Sequence, residues 1–248
     1  MWKGKMMENF KKRLSTELIQ FSIILEENQL KQFYEYFKIL VEWNKVMNLT
    51  AITEENEVIT KHFVDSLALI KAVKDLGEKE YRIIDVGTGA GFPGIPLKIA
   101  FPQLRVTLMD SLNKRVKFLN EVITQLNLEG IQAIHSRAEE LGRDKEHREC
   151  YDYCVSRAVA NLSTLSEYCM PFVKPGGFFV SYKSGKIEEE LTAAKHAIFL
   201  LSGKVASVET FVLEGAEAER SLVKVEKMNE ISKKYPRKAG MPGKEPLK

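Results

Sequence analysis

Cysteine is scarce in this 248-residue chain, at three residues: Cys150, Cys154 and Cys169. An odd and sparse set is no disulfide framework and fits a reducing compartment. His147 stands close to Cys150 and Cys154, but Cys154 falls inside an apolar, strand-like run and a fourth ligand is missing, so no metal is expected. Long apolar runs are lacking too. Nothing approaches the roughly 20 residues needed to span a bilayer. The longest run near the N-terminus, Phe21 to Leu25, is too short and too far in for a signal-peptide core. A cytoplasmic protein with no membrane partner is expected. Internal repeats are absent, as is low complexity before the last sixteen residues. Charge of one sign is not in large excess, with 37 Lys and Arg against 34 Asp and Glu. The surplus sits at one end: Lys233, Lys234, Arg237, Lys238, Lys244 and Lys248 against Glu245 give the last sixteen residues +5, which leaves −2 for the rest of the +3 chain.

What the chain does hold is a glycine cluster at the end of a strand. After Tyr81-Arg82-Ile83-Ile84 it reads Asp85-Val86-Gly87-Thr88-Gly89-Ala90-Gly91-Phe92-Pro93-Gly94. A strand closing on an acid and running into alternating glycines brings bare backbone against a small polar ligand, because glycine has no Cβ and tolerates positive φ. Gly89-x-Gly91-x-x-Gly94 also satisfies the dinucleotide pattern. The longer frame, Asp85-x-Gly87-x-Gly89-x-Gly91, resembles that of S-adenosylmethionine-dependent methyltransferases. This cofactor has no pyrophosphate, so its loop needs close backbone approach to a sulfonium and an amino-acid tail. Asp85, Gly87, Gly89 and Gly91 are the candidates, with Asp85 complementing the positive sulfur.

A second acid supports a nucleoside ligand. Arg105 to Met109 alternates as a strand and ends in Asp110, 25 positions after Asp85. That is near the roughly 20-residue offset at which a carboxylate accepts hydrogen bonds from ribose hydroxyls. Asp110 can equally cap the helix that follows, from Asn113 to Leu126, for which Ser111 is the N-cap candidate. Before Tyr81 the pattern is helical: Leu30, Phe33, Phe37, Leu40 and Val41 form one stripe, and Ile59, Phe63, Leu67, Ile70 and Val73 another after a cap candidate at Thr53. Between them, Trp43 to Thr50 is a turn-prone break. From Arg82, strands at 83–86, 106–109, 131–134, 152–155 and 177–182 alternate with helices, which calls for a doubly wound, mostly parallel sheet. Two β-rich runs, 204–213 and 221–228, close it as an antiparallel hairpin. The fold class is α/β, Rossmann-like, with an N-terminal helical extension. The expected division is 1–80 helical region, 81–232 cofactor-binding methyltransferase domain and 233–248 basic flexible tail, its Pro and Gly residues opposing regular structure.

The chain resembles the bacterial 16S ribosomal RNA guanine-N7 methyltransferase family, RsmG or GidB, along nearly its whole length. The resemblance rests on Trp43-Asn44 with Asn48-Leu49-Thr50, His62-Phe63-Val64-Asp65-Ser66, Asp85 to Pro96, Asp110-Ser111 with Lys114-Arg115, Ser156-Arg157-Ala158, Lys174-Pro175-Gly176-Gly177 and Tyr235-Pro236-Arg237-Lys238. It implies S-adenosylmethionine contacts at Gly87, Phe92, Ala138, Glu139 and Arg157, and 16S ribosomal RNA or the small ribosomal subunit as partner. Ser184 after Lys183, and Met241 in the tail, depart from the family pattern and bear only on substrate contacts. Pro93 is expected to fix the helix start and leave the Phe92 ring over the ligand. Glu139 reads either as an adenine-side contact or as a solvated helix-start acid.

The stretch after the fourth strand narrows the chemistry. Exocyclic amine methylation generally uses an Asn-Pro-Pro-aromatic motif there, and this chain has Ser156-Arg157-Ala158-Val159. Carbon-5 methylation of cytosine needs a cysteine nucleophile, and no Pro-Cys or Thr-Cys stands at that place. Guanine N7 already carries a lone pair and asks for no deprotonation, so proximity and orientation suffice. No catalytic acid or base is assigned. Arg157 and Lys183 are candidates for guanine or phosphate contacts; His62 and Asp65 are expected to join the two parts, and Asn44, Asn48 and Thr50 either to do the same or to line an RNA cleft. The alternatives are a small-molecule methyltransferase and a non-catalytic RNA-binding protein with an adenosyl-ligand pocket.

Overall fold

Apolar residues three and four apart bury one face of each N-terminal helix. In the computed structural model, which describes residues 2–157 and 160–248, helix α1 (Trp2–Leu18) buries Phe10, Leu14 and Leu18. Ala158 and Val159 of the stretch after the fourth strand lie outside the described residues. Helix α2 (Glu27–Met47) starts where the Gln29 side chain accepts the Glu26 N–H at 2.8 Å. It stops at Asn48, which adopts left-handed φ of 47°. The break expected from Trp43 therefore begins five residues later, because the Trp43 ring packs on Phe118 at 5.7 Å and extends the helix's buried face. The next helical stretch is capped at Glu54, not Thr53, with no side-chain bond. It runs through α3 (Glu55–Val58), a wider π turn (Ile59–Val64), α4 (Asp65–Leu67) and α5 (Leu69–Ala72).

Seven strands then form one sheet in the order β3-β2-β1-β4-β5-β7-β6. These are β1 (Arg82–Val86), β2 (Arg105–Asp110), β3 (Ile131–His135), β4 (Tyr151–Ser156), β5 (Val173–Ser184), β6 (Gly203–Leu213) and β7 (Ala218–Lys227). The first five run parallel and β7 runs antiparallel to both β5 and β6, as the pattern predicts. Strand β5 starts at Val173, four residues early: Val173 pairs with Tyr151, and Lys174-Pro175-Gly176 bulge out before Phe178 pairs with Tyr153. The crossover helices are α6 (Gly94–Ala100), α7 (Asn113–Gln125), α8 (Ala138–Leu141), α9 (Leu162–Cys169) and α10 (Glu188–Leu200).

One apolar cluster joins the N-terminal helices to the sheet, with Phe10, Phe33, Tyr36 and Phe63 packing in one core with Ile83, Leu108, Phe118 and Val155. The second lies on the opposite face, where α9 and α10 cover Ile84, Cys154, Phe179 and Val223. Ile231 and Tyr235 belong to that second core.

The last sixteen residues are therefore not the free arm that their composition predicts. Arg148 donates to the carbonyls of Ile231 and Tyr235, both at 2.9 Å. Arg237 forms an ion pair with Glu167 at 2.7 Å, and a short helix, α11 (Met241–Lys244), follows. Pro and Gly prevent a long regular element there, but apolar anchors and a waiting buried carboxylate hold irregular backbone as well. Lys233, Lys234, Lys238, Lys244 and Lys248 stay exposed. No helix among the described residues is long and apolar enough to cross a membrane.

Candidate active site

In a doubly wound sheet, ligands gather at the carboxyl ends of the strands where the strand order reverses. Here that point lies between β1 and β4. Parallel register sets Asp85 beside Leu108 and Val86 beside Met109, so β1 and β2 end together. The loop after β1 turns over that edge, with Gly87 and Thr88 N–H groups both donating to the Met109 carbonyl at 2.9 and 3.1 Å. Gly89 has φ of +63°, and a Cβ built there meets nothing within 4 Å, so the ground above it is open. Gly91, at φ +96°, is confined: a Cβ would lie 2.5 Å from Ile95 Cδ1 and 2.7 Å from the Tyr36 hydroxyl. The first provides the approach and the second the packing under it.

The two acids hold this loop from below. Asp85 is fully buried, and its Oδ2 accepts from the Thr88 hydroxyl at 2.6 Å and the Gly94 N–H at 2.8 Å. Its Oδ1 has no hydrogen-bond partner among the described residues. Burial pushes the carboxyl up to about 6, against the opposing pull of those two donors. Asp110, 2% exposed, accepts the Gly89 N–H at 3.0 Å on Oδ2 and the Leu112 N–H at 2.9 Å on Oδ1. Arg115 approaches the same carboxylate at 3.3 Å. The helix after it begins from Leu112 with no side-chain cap, so Ser111 does not cap it; Asp110 takes the exposed N–H two residues on. An open glycine face, an unpartnered buried carboxylate oxygen and a second acid at the neighbouring strand end fit the polar groups of a nucleoside cofactor carrying a positive charge. Gly87, Gly89 and Asp110 would hold S-adenosylmethionine there, and Asp85 would act from beneath.

Past β3, Ala138 opens α8 and Glu139 follows. Glu139 is 5% exposed and accepts the Gly240 N–H at 2.7 Å, so it is not a solvated acid. The docked tail removes its water. Phe92 also differs from expectation. Its ring, 5% exposed, stacks on the His62 ring at 4.5 Å and 18° and contacts Tyr36 at 5.5 Å. The Arg157 guanidinium caps it at 5.1 Å. The ring's direction follows the packing of α2 and the π turn.

Arg157 is the centre of a network that its own sequence neighbourhood does not reveal. It donates to the Lys61 carbonyl at 3.1 Å, Asp65 Oδ2 at 2.9 Å and His62 Nδ1 at 3.2 Å. The other Asp65 oxygen accepts from Arg220 Nε at 2.8 Å. Arginine only donates, so His62 Nδ1 carries the lone pair and Nε2–H donates to the Thr50 hydroxyl oxygen at 2.8 Å. Burial, and then the Arg157 charge, lower the His62 pKa to about 3. Asn44 completes the line, accepting the Thr50 N–H at 2.9 Å and donating to its carbonyl at 3.0 Å. Asn44, Thr50, His62 and Asp65 thus join the helical region to the sheet; Arg220 is the network member that the sequence reading misses, and Glu190, bonded to Lys183 in the neighbouring cleft, is missed as well.

A cleft of about 580 Å³ opens beside this network, past the ends of β4 and β5. Lys61, Asp65, Arg157, Lys183, Glu190 and Arg220 supply its charged lining. Lys183 Nζ donates to the Ala160 carbonyl and to Glu190 Oε1, both at 2.6 Å. The cofactor candidates thus lie at the ends of β1, β2 and β3, with Arg157 after β4 in both sets, and the substrate candidates at β4 and β5.

Comparison with known proteins identifies the fold and the family. A solved structure of TYW2 from M. jannaschii in complex with AdoMet superposes with a TM-score of 0.51 at 17% identity, covering 66% of this chain and 77% of that one. It shares the fold. Ribosomal RNA small subunit methyltransferase G of Lachnoclostridium phytofermentans is 54% identical over 224 residues, 90% of this chain and 91% of that protein. Its namesake in Alkaliphilus metalliredigens is 51% identical over 224 residues, 90% of this chain and 93% of that protein. With residues 29–223 also matching the family model described as GidB, rRNA small subunit methyltransferase G, the chain belongs to that family.

Proposed function

We propose that this protein transfers a methyl group from S-adenosylmethionine to N7 of a guanine in 16S ribosomal RNA, acting in the cytoplasm on the RNA or on the assembling small subunit. The family membership supports the rRNA substrate. The observation that carries the choice of atom is that the histidine beside the cleft and the carboxylates lining it each face a cation. His62 is neutral and its only lone pair faces Arg157; Asp65 is shared by two arginines; Glu190 is paired with Lys183. With its pKa lowered to about 3 by burial and by Arg157, His62 is no base for a nucleophile that must lose a proton. Guanine N7 has none to lose.

S-adenosylmethionine supplies an electrophilic methyl group on a sulfonium. The chain's own work is binding and alignment: the 81–232 region holds the cofactor, and Ile52, Lys61 and Asp65 of the 1–80 region wall the RNA side of the cleft. The exposed tail lysines would add phosphate contacts. The test is transfer of labelled methyl to 16S rRNA from a strain lacking this protein, as naked RNA and as subunits, with the modified base mapped. Label at a guanine N7 is the expected result; label on an exocyclic amine, or no transfer to either substrate, refutes the proposal.

A further inference from the structure

The charged lining of the cleft is almost entirely committed. Arg157 and Arg220 both bind Asp65, and Lys61 is paired with Glu57. A phosphate would have to displace these carboxylates. The remaining pair, Lys183 and Glu190, is different. Glu190 Oε1 accepts twice, from Lys183 Nζ and from the Leu162 N–H, both at 2.6 Å. Its Oε2 has no hydrogen-bond partner among the described residues, although the side chain is only 31% exposed. Lys183 spends two of its three N–H groups, on Ala160 and Glu190, and keeps the third. A fixed donor beside a fixed, unused anionic acceptor therefore lies on the β5 side of the cleft, two strands from β1 and its glycine loop.

We propose that Lys183 and Glu190 read the Watson–Crick edge of the target guanine, Lys183 donating to O6 and Glu190 Oε2 accepting from N1–H and the 2-amino group. This rests on the guanine-N7 reading above. Order along the sheet edge agrees: from β1 through β4 to β5 come the glycine loop, Arg157 and then Lys183 with Glu190, while on the base N7 is followed by O6, N1 and the 2-amino group. A base with N7 toward the cofactor presents its remaining edge to this pair. Adenine offers an amino donor to Lys183 and a lone pair to Glu190, so the pair rejects it on both contacts. Sites built to hydrogen-bond a substrate discriminate strongly in this way, because a mismatch leaves their polar groups unpaired.

The test uses the full-length protein and 16S rRNA assembled by ligation with guanine or inosine at the methylated position. Inosine lacks only the 2-amino group. Wild type is expected to prefer guanine by about tenfold or more in kcat/KM, the scale of a hydrogen bond to a charged acceptor. In Glu190→Gln the amide oxygen keeps the Leu162 and Lys183 bonds while its NH2 replaces Oε2. Guanine methylation should then fall by about 10- to 100-fold and the guanine-to-inosine ratio approach one, with S-adenosylhomocysteine affinity and melting temperature unchanged. Equal wild-type rates on guanine and inosine, or an unchanged ratio in Glu190→Gln, would overturn the assignment; because the inosine comparison needs no variant, it stands even if Glu190→Gln misfolds. Wild-type label at an atom other than N7 would instead remove the underlying function and leave this pair without a guanine to read.

Discussion

Replacing Arg237 by alanine should destabilise the whole protein, although the residue lies in a proline- and glycine-rich tail. Glu167 is completely buried, and Arg237 grips it through Nε at 2.9 and 3.1 Å and Nη2 at 2.7 Å. Breaking a buried pair from one side costs about 3–5 kcal/mol, because the surviving charge is left without compensation. Two features push the estimate to the lower end: Arg237 is 24% exposed, so water can replace part of it, and its backbone N–H still reaches Glu167 at 2.7 Å. A loss of about 3 kcal/mol is expected, which for a chain of this size lowers the melting temperature by roughly 6–12 °C. Calorimetry of the apo protein measures it directly. The double variant Glu167→Leu with Arg237→Met should recover most of the loss, since apolar residues of similar volume replace buried ion pairs without penalty. A fall below about 2 °C for the single variant, or a double variant as unstable as the single, would refute the burial reasoning.

Three further outcomes are expected. Gly87→Asp should abolish S-adenosylmethionine binding in a folded protein, by filling the approach and setting a second carboxylate beside Asp85; near-wild-type affinity by titration calorimetry would remove the pocket from this loop. Asp110→Ala should weaken S-adenosylmethionine by about 1.5–3 kcal/mol and also lower apo stability, because the Gly89 and Leu112 N–H groups lose their acceptor; unchanged affinity with reduced stability would leave Asp110 as a capping acid alone. Asp85 titrates at about 6 in the fold against 3.8 unfolded, so between those values the folded state holds a proton that the unfolded state has released and stability falls as pH rises. Two units at about 1.4 kcal/mol each make this on the order of 3 kcal/mol, and Asp85→Asn should gain that much on wild type between pH 4 and pH 7 in denaturant titrations. A constant difference between the two proteins across that range would rule it out.

The parts of this site that could be read from the chain are those whose partners are close in sequence or fixed by strand period. The glycine loop, both strand-end acids and the parallel sheet with its hairpin follow from such local pattern. The parts that could not be read depend on distant partners. The sequence leaves Glu139 open between an adenine-side contact and a solvated helix-start acid, and only Gly240, 101 positions away, removes the second reading. Asp65 meets Arg220 across 155 positions, and neither residue has a motif that announces the other. Pro93 says nothing of the His62, Tyr36 and Arg157 groups against which the Phe92 ring packs. The docked tail is hidden from the sequence because composition describes what backbone can form, not what a buried carboxylate elsewhere will hold.

That tail also bears on how the molecule is made. A chain folds from its N-terminal side while it is being synthesised, and β1 to β5 with α9 can assemble early. Glu167 then waits as a buried carboxylate, 70 positions ahead of the arginine that neutralises it, while Glu139 waits longer for Gly240. The second core stays open to water until Ile231 and Tyr235 have emerged. Translation must therefore run almost to the end of this sequence before the protein is finished. A nascent chain still tethered short of Arg237 would hold a nearly complete sheet and yet remain a target for chaperones and proteases.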